Sequence, residues 1–322
     1  CQPALVVNVT KDANERSYAP SISGDGRFVG FDTGATNLLD DMKAGGLVYD
    51  HADGTFRRGT FSSEMIALVG GRSQVSLDGT FVLFATDAAL EADDTNGVDD
   101  VYRVELATGD AERVSIYPGS LAYPGVGSFA GNEDASVVVF QGSDYRVYAR
   151  NLVDGVSQLV APQVDDADTW RPAISGNGTT VAFDTSSSKL PDANGILQVF
   201  VRSLANEEIQ LASSSSAGTP ANAQSFVGVL SGNGRIVAFQ SAASNLVADD
   251  ANTANDVFVK DLDTGMTTRV SVSSEGIEGN ASSYQPALSA DGRYVAFLSS
   301  ASNLAPGDAN ALTDVYVYDR VT

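Results

Sequence analysis

The segment at 284–320, YQPALSADGRYVAFLSSASNLAPGDANALTDVYVYDR, returns in looser form along the whole chain. Aligned on the phenylalanine of its VAF triplet, the copies fall at Phe31, Phe84, Phe140, Phe183, Phe239 and Phe297, at intervals of 53, 56, 43, 56 and 58 residues. A recurrence of this period restricts the fold to repeated units that each bury a face against the next. Spacings above 50 are long for helical or leucine-rich repeats and suit a four-stranded antiparallel unit with generous loops.

Each copy divides in the same way. A first strand such as QPALS runs into SGDGR, SLDGT, SGNGT, SGNGR or SADGR, at 23–27, 76–80, 175–179, 231–235 and 289–293. Asp-Gly and Asn-Gly adopt the positive φ that a tight hairpin demands. A second strand follows as a nearly continuous apolar run (FVGF, FVLF, VVVF, TVAF, IVAF, YVAF), the pattern of a sheet covered on both faces. Third strands are expected from Val48, Val101, Val147, Val199, Val257 and Val315, and a further Gly turn leads to a fourth. The Ser-rich run at 213–218 reads as a flexible loop.

The sixth copy stops after its third strand, at DVYVYDRVT, whereas the first residues, ALVVNVT, resemble a fourth strand. A strand at 4–10 completing the last sheet would close a ring and remove the exposed edges of an open array. The expectation is therefore an all-β, six-bladed β-propeller of four-stranded antiparallel blades over residues 1–322, closed by the N-terminal strand. Its blades begin near 17, 70, 123, 169, 225 and 283.

The phrases SADGRYVAF and SGNGRIVAF followed by DVFVKDLDTG resemble the TolB-type propeller repeat, a relative of the WD repeat, over essentially the whole chain. That family's members are mostly periplasmic, secreted or surface-attached bacterial proteins, many of them binding platforms, and the resemblance implies such a role here. Blade 3 departs furthest, with GNEDA in place of the Gly turn and a short QGSDYR connection.

Asp and Glu number 41 against 19 Lys and Arg, a formal charge of −22, which repels phosphate backbones and argues against nucleic-acid binding. No apolar run approaches the roughly 20 residues of a membrane span. The one cysteine is Cys1, which excludes a disulfide framework or a cysteine metal cage. A chain beginning on its only cysteine resembles a bacterial lipoprotein after leader cleavage. Cys1 is thus the expected lipid site, and any membrane contact would run through it, the alternative being a piece of a longer secreted protein. The expected location is periplasmic, cell-surface or extracellular.

Two recurrences are candidate sites. The connections between second and third strands carry D-x-N-x-x-x-D, as Asp94, Asn96, Asp100, as Asp250, Asn252, Asp256, and as Asp308, Asn310, Asp314. Oxygen ligands at alternate loop positions suit Ca²⁺, the candidate cofactor, although the rest of an EF-hand loop is missing. Closure of Asx turns explains the same pattern with no cofactor at all. The second recurrence is an aromatic two residues before Pro20, Pro172, Gly228 and Pro286: Tyr18, Trp170, Phe226 and Tyr284. On a channel rim these rings, with Arg171 beside Trp170, could hold a ligand, or they could wedge blades together.

Hydrolytic chemistry is poorly supplied. His51, the one histidine, lies in a turn, and no G-x-S-x-G elbow occurs. The expectation is accordingly a non-enzymatic exported module binding a protein or envelope ligand. The alternatives are a polysaccharide-binding or polysaccharide-active propeller and a structural subunit of an extracellular assembly.

Overall fold

The computed structural model describes residues 8–39, 45–58, 73–117, 126–308 and 312–321. No helix occurs among them; their strands form six antiparallel sheets. The architecture is that of a six-bladed β-propeller. In five blades four strands pair in chain order, as in blade 4 (Thr169–Ile174, Thr180–Thr185, Gln198–Ser203, Ile209–Leu211) and blade 5 (Ser225–Leu230, Ile236–Ser241, Asp256–Asp261, Thr267–Arg269). Blade 6 has three described strands, Ser283–Leu288, Tyr294–Ser299 and Asp314–Asp319. The strand expected at 4–10 lies mostly outside the described residues, and Val9 and Thr10 stand in a turn. Cys1 and the blade starts near 70 and 123 also lie outside them. The chain divides into two compact units, Cys1–Gly127 and Ser128–Thr322, the boundary falling inside the opening strand of blade 3.

The S-x-[DN]-G phrase is a self-contained turn. In blade 1 Ser23 Oγ donates to Asp25 Oδ1 (2.6 Å) and accepts from the N–H of Phe28 (3.0 Å), while the N–H of Arg27 donates to Asp25 Oδ1 (2.9 Å). Side chains thus satisfy the backbone groups that the tight connection leaves over. Ser76 with Asp78, Ser175 with Asn177, Ser231 with Asn233 and Ser289 with Asp291 repeat the bond. Blade 3 keeps the turn without the glycine, as Ala135 takes φ 54° in its place. Adjacent turns also interlock: the N–H of Gly24 donates to Leu77 O, and that of Glu133 to Gly176 O.

The apolar second strands are buried as their composition demands. The VAF phenylalanine of blades 2 to 6 pairs across the ladder with an aromatic of the third strand (Tyr102, Tyr148, Phe200, Phe258, Tyr316), with ring centroids 5.6–6.4 Å apart. Each fully buried ring among them contributes about 1.5–3 kcal/mol. In blade 1 the partner of Phe31 is Leu47, so Gly46, not Val48, occupies the position of Val257; the expected start of that third strand was two residues late.

The run at 213–218 is an ordered, fastened turn rather than a loose loop. Ser213 and Ser214 are buried, and the N–H of Gly218 donates to Ser215 O. Lys260 Nζ, from the next blade, donates to the carbonyls of Ser214 and Ser215.

Candidate functional site

Trp170, Phe226 and Tyr284 occupy one register position on three successive first strands, opposite Asp184, Gln240 and Leu298 of the second strands. The backbone of Tyr18 takes the same place opposite Asp32. Immediately beyond each aromatic the pairing register breaks. In blades 4 and 6 the cause is a proline, Pro172 or Pro286, with no N–H to continue the ladder. The residue between takes the left-handed conformation, with φ 48° at Arg171, 59° at Val227 and 52° at Gln285. For non-glycine residues, and above all for β-branched Val227, this geometry is strained and has to be held from outside.

In blades 5 and 6 the preceding blade supplies the hold. Asp184 Oδ2 accepts from the N–H of Val227 (3.2 Å), and Gln240 Oε1 accepts from the N–H of Gln285 (3.0 Å). Asp184 also accepts from Arg171 Nη1 (2.9 Å), whose guanidinium carbon lies 5.3 Å from the centre of the Phe226 ring. Burial pushes the Asp184 carboxyl up to about 7, against the opposing pull of Arg171 and the two backbone N–H groups. Asp32, the same position in blade 1, is fully buried with no close hydrogen bond to either oxygen among the described residues, and burial raises it to about 7 as well, against the weaker pull of the Ser73 N–H. Trp170, Phe226 and Tyr284 are each half-buried and belong to none of the apolar core clusters that the described residues form. Sequence reasoning found the rings and Arg171 but missed Asp184 and Gln240. The visible signal was a polar residue closing an apolar run, in FDT and FQS.

The acidic loops separate under the same scrutiny. Asn96 and Asn252 each close an Asx turn, accepting the N–H of Val98 (3.0 Å) and of Ala254 (2.7 Å). Their amides donate onward to Asp100 and Asp256. The aspartates are occupied: Asp94 by the Tyr102 hydroxyl, Asp308 by that of Tyr316, and Asp100 and Asp256 by Ser115 and Ser271. Asp314 opens the third strand of blade 6, and Asn310 lies outside the described residues.

In blade 5 alone among the described residues do three carboxylates converge, those of Asp250, Asp256 and Glu278, with oxygens within 4.8 Å of one another. Such a triad could hold a divalent cation, but a guanidinium already stands in it. Arg269 Nη1 is 3.7 Å from Asp250, 3.8 Å from Asp256 and hydrogen-bonded to Glu278. Burial, with repulsion from Asp256, still pushes Asp250 up to about 6. Blade 2 repeats the arrangement with Arg113 beside Asp94 and Asp100, whereas blade 4 has Leu211 where the arginine would be and Gln198 for the aspartate. Blade 1 keeps an arginine at this register position, Arg58, with Gly45 in place of the aspartate. Glu278 was not foreseen, because it belongs to the segment leading into the next blade.

No described protein family and no curated protein matches the sequence. Many solved structures match the fold. One is an oligogalacturonate lyase in complex with manganese, 13% identical over 95% of this chain and 77% of that one, with a TM-score of 0.57. The oligogalacturonate lyase of Vibrio parahaemolyticus is 12% identical over the same shares, with a TM-score of 0.58. The β-propeller domain of the Trilobed protease from Pyrococcus furiosus is 11% identical over 96% of this chain and 82% of that one, with a TM-score of 0.57. At these identities the likeness is one of fold, and the TolB-type resemblance rests on the sequence motifs alone.

One expectation is corrected. The chain was read as non-enzymatic because it lacks a triad, yet lyases share its fold over 95% of its length. This architecture hosts catalysis, and His51 standing in an exposed turn does not argue against it.

Proposed function

We propose that this chain is a saccharide-engaging β-propeller, with its ligand held along the row of Trp170, Phe226 and Tyr284. The observation that carries this reading is the common register of three half-buried rings outside the apolar core. Rings that served only as wedges between blades would be buried in the core clusters. Partly exposed rings instead offer rigid area on which a sugar face can stack, at little cost in entropy. Polar groups stand beside them to fix orientation: the guanidinium of Arg171 and the exposed amide of Gln285. The likeness in fold to oligogalacturonate lyases supports a saccharide as the ligand class and makes turnover part of the test.

The experiment is a glycan array on the purified chain, followed by titration of each hit against Trp170→Ala and assay for cleavage. Loss of a stacking ring should weaken binding by roughly tenfold. An array without hits, or a Trp170→Ala variant binding as the parent does, would remove the reading.

A further inference from the structure

Within the saccharide reading, on which this inference rests, we infer that Arg171 reads a carboxylate on the ligand and that Asp184 is its positioning residue. The ligand class is then an oligosaccharide bearing a uronic acid.

Repetition inside the chain separates what the fold needs from what it does not. The left-handed position that Arg171 occupies is filled by Val227 in blade 5 and Gln285 in blade 6. A charge there is not a requirement of the bulge. Asp184 likewise has a neutral counterpart. Gln240 accepts the bulge N–H of Gln285 just as Asp184 accepts that of Val227, so an amide performs the latch between blades equally well. What the carboxylate adds in blade 4 is its bond to Arg171 Nη1, a bond that Asp32, at the same position in blade 1, makes to no described residue.

Stability does not account for that addition. Asp184 is fully buried while the Arg171 side chain is 49% exposed, and Asp184 Oδ1 makes no close hydrogen bond among the described residues. Such a half-satisfied, desolvated carboxylate is commonly neutral or worse for stability. Its effect is geometric. Bonded at Nη1 and lying over Phe226, the guanidinium is fixed in orientation, and Nη1 is the one guanidinium nitrogen that is hydrogen-bonded among the described residues. The remaining N–H groups are in the arrangement that receives a carboxylate through two parallel bonds. Trp170 stands directly opposite Asp184, the carboxylate that holds Arg171, so a sugar ring stacked on Trp170 would carry its carboxylate to the guanidinium.

The charge of the whole chain bounds the ligand further. A net −22 repels dense polyanions at long range, so an oligosaccharide with one carboxylate is favoured over a polymer of uronates.

The test uses a disaccharide ending in a uronic acid and the same disaccharide with the carboxylate reduced to the alcohol. Binding of both is measured by calorimetry to the parent chain and to Arg171→Gln, Arg171→Lys, Asp184→Asn and Trp170→Ala, after melting curves establish folding. Gln285 shows that glutamine suits this backbone position, which makes Arg171→Gln a sound variant. The parent should prefer the uronate at least tenfold. Arg171→Gln should erase that preference, and Arg171→Lys should restore part of it. Asp184→Asn should weaken the uronate and leave the neutral sugar unchanged, a split that a purely structural role would not produce. Trp170→Ala should weaken both sugars alike. A parent without preference, or a preference that survives Arg171→Gln, overturns the inference while leaving the saccharide reading standing. Failure of both sugars to bind ends both.

Discussion

The ammonium of Lys260 donates to the backbone carbonyl of Ser214, 3.3 Å away, from the third strand of blade 5 to the segment that leaves blade 4. The same nitrogen reaches Ser215 O, Gly265 O and Thr267 Oγ1, and among the described residues no carboxylate pairs with it. Burial holds its pKa below the usual lysine range. Lys260→Met would keep the packed stem and leave those carbonyls without their donor, a loss of about 1–3 kcal/mol. Urea unfolding of the variant checks it; a change within error would mean that water takes over the carbonyls.

Asp32 sets a pH dependence whose sign follows from its raised carboxyl. The folded state favours the protonated form, so the group's contribution is fully present below pH 4, its unfolded range, and is lost as pH rises through about 7. Asp184 contributes with the same sign. Asp32→Asn should therefore stabilise the chain by about 1–3 kcal/mol at pH 8 and do little near pH 4. Below that, carboxyls held low by hydrogen bonds, such as Asp166 at about 2, lose their contribution as they protonate. Unfolding curves at pH 4.5 and 8 decide the matter, and equal shifts at the two would sink the assignment.

Two glycines isolate packing from backbone strain. Gly234 and Gly265 have φ +71° and +72°, but a Cβ on Gly234 would stand 2.5 Å from Thr180 Oγ1 and 2.9 Å from Thr180 Cβ, while one on Gly265 meets nothing within 4 Å. Alanine at Gly265 should cost about 1–2 kcal/mol through conformation alone. At Gly234 it should cost about 1–3 kcal/mol more. Equal losses would mean that the turn of blade 5 is not tightly seated on blade 4.

Removal of Arg269 would leave Asp250, Asp256 and Glu278 facing one another without a cation. Arg269→Met should destabilise by about 3–5 kcal/mol. Millimolar Ca²⁺ should then raise the melting temperature of the variant more than that of the parent. A variant as stable as the parent would show that the guanidinium is not what holds these carboxylates together.

The repeat made the blades legible because the S-x-[DN]-G turn and the apolar second strand are local devices, complete within a few residues. Blade 3 resisted, since Ala135 does a glycine's work at φ 54°. Blade 1 was misread by two residues because register is set by the partner strand, where Phe31 meets Leu47, and not by the valine spacing. Trp170, Arg171, Phe226 and Tyr284 were visible as a spacing. Their supports were not, because Asp184 grips Val227 across 43 positions of sequence and Gln240 grips Gln285 across 45. The acidic loops were legible as a pattern open to Ca²⁺ or to Asx closure, but not the arginines that the fourth strands of blades 2 and 5 bring beside them, Arg113 and Arg269.

The bulges at Arg171, Val227 and Gln285 divide the labour between main chain and side chain. At Val227 and Gln285 the neighbouring blade clasps the N–H, so the path of the polypeptide is secured whichever residue stands there, and across the three blades chemically unrelated side chains fill the position. The position therefore behaves as a socket. Its contents can be exchanged blade by blade, by natural drift or by deliberate redesign, to alter what the protein recognises without rebuilding the wheel that carries it.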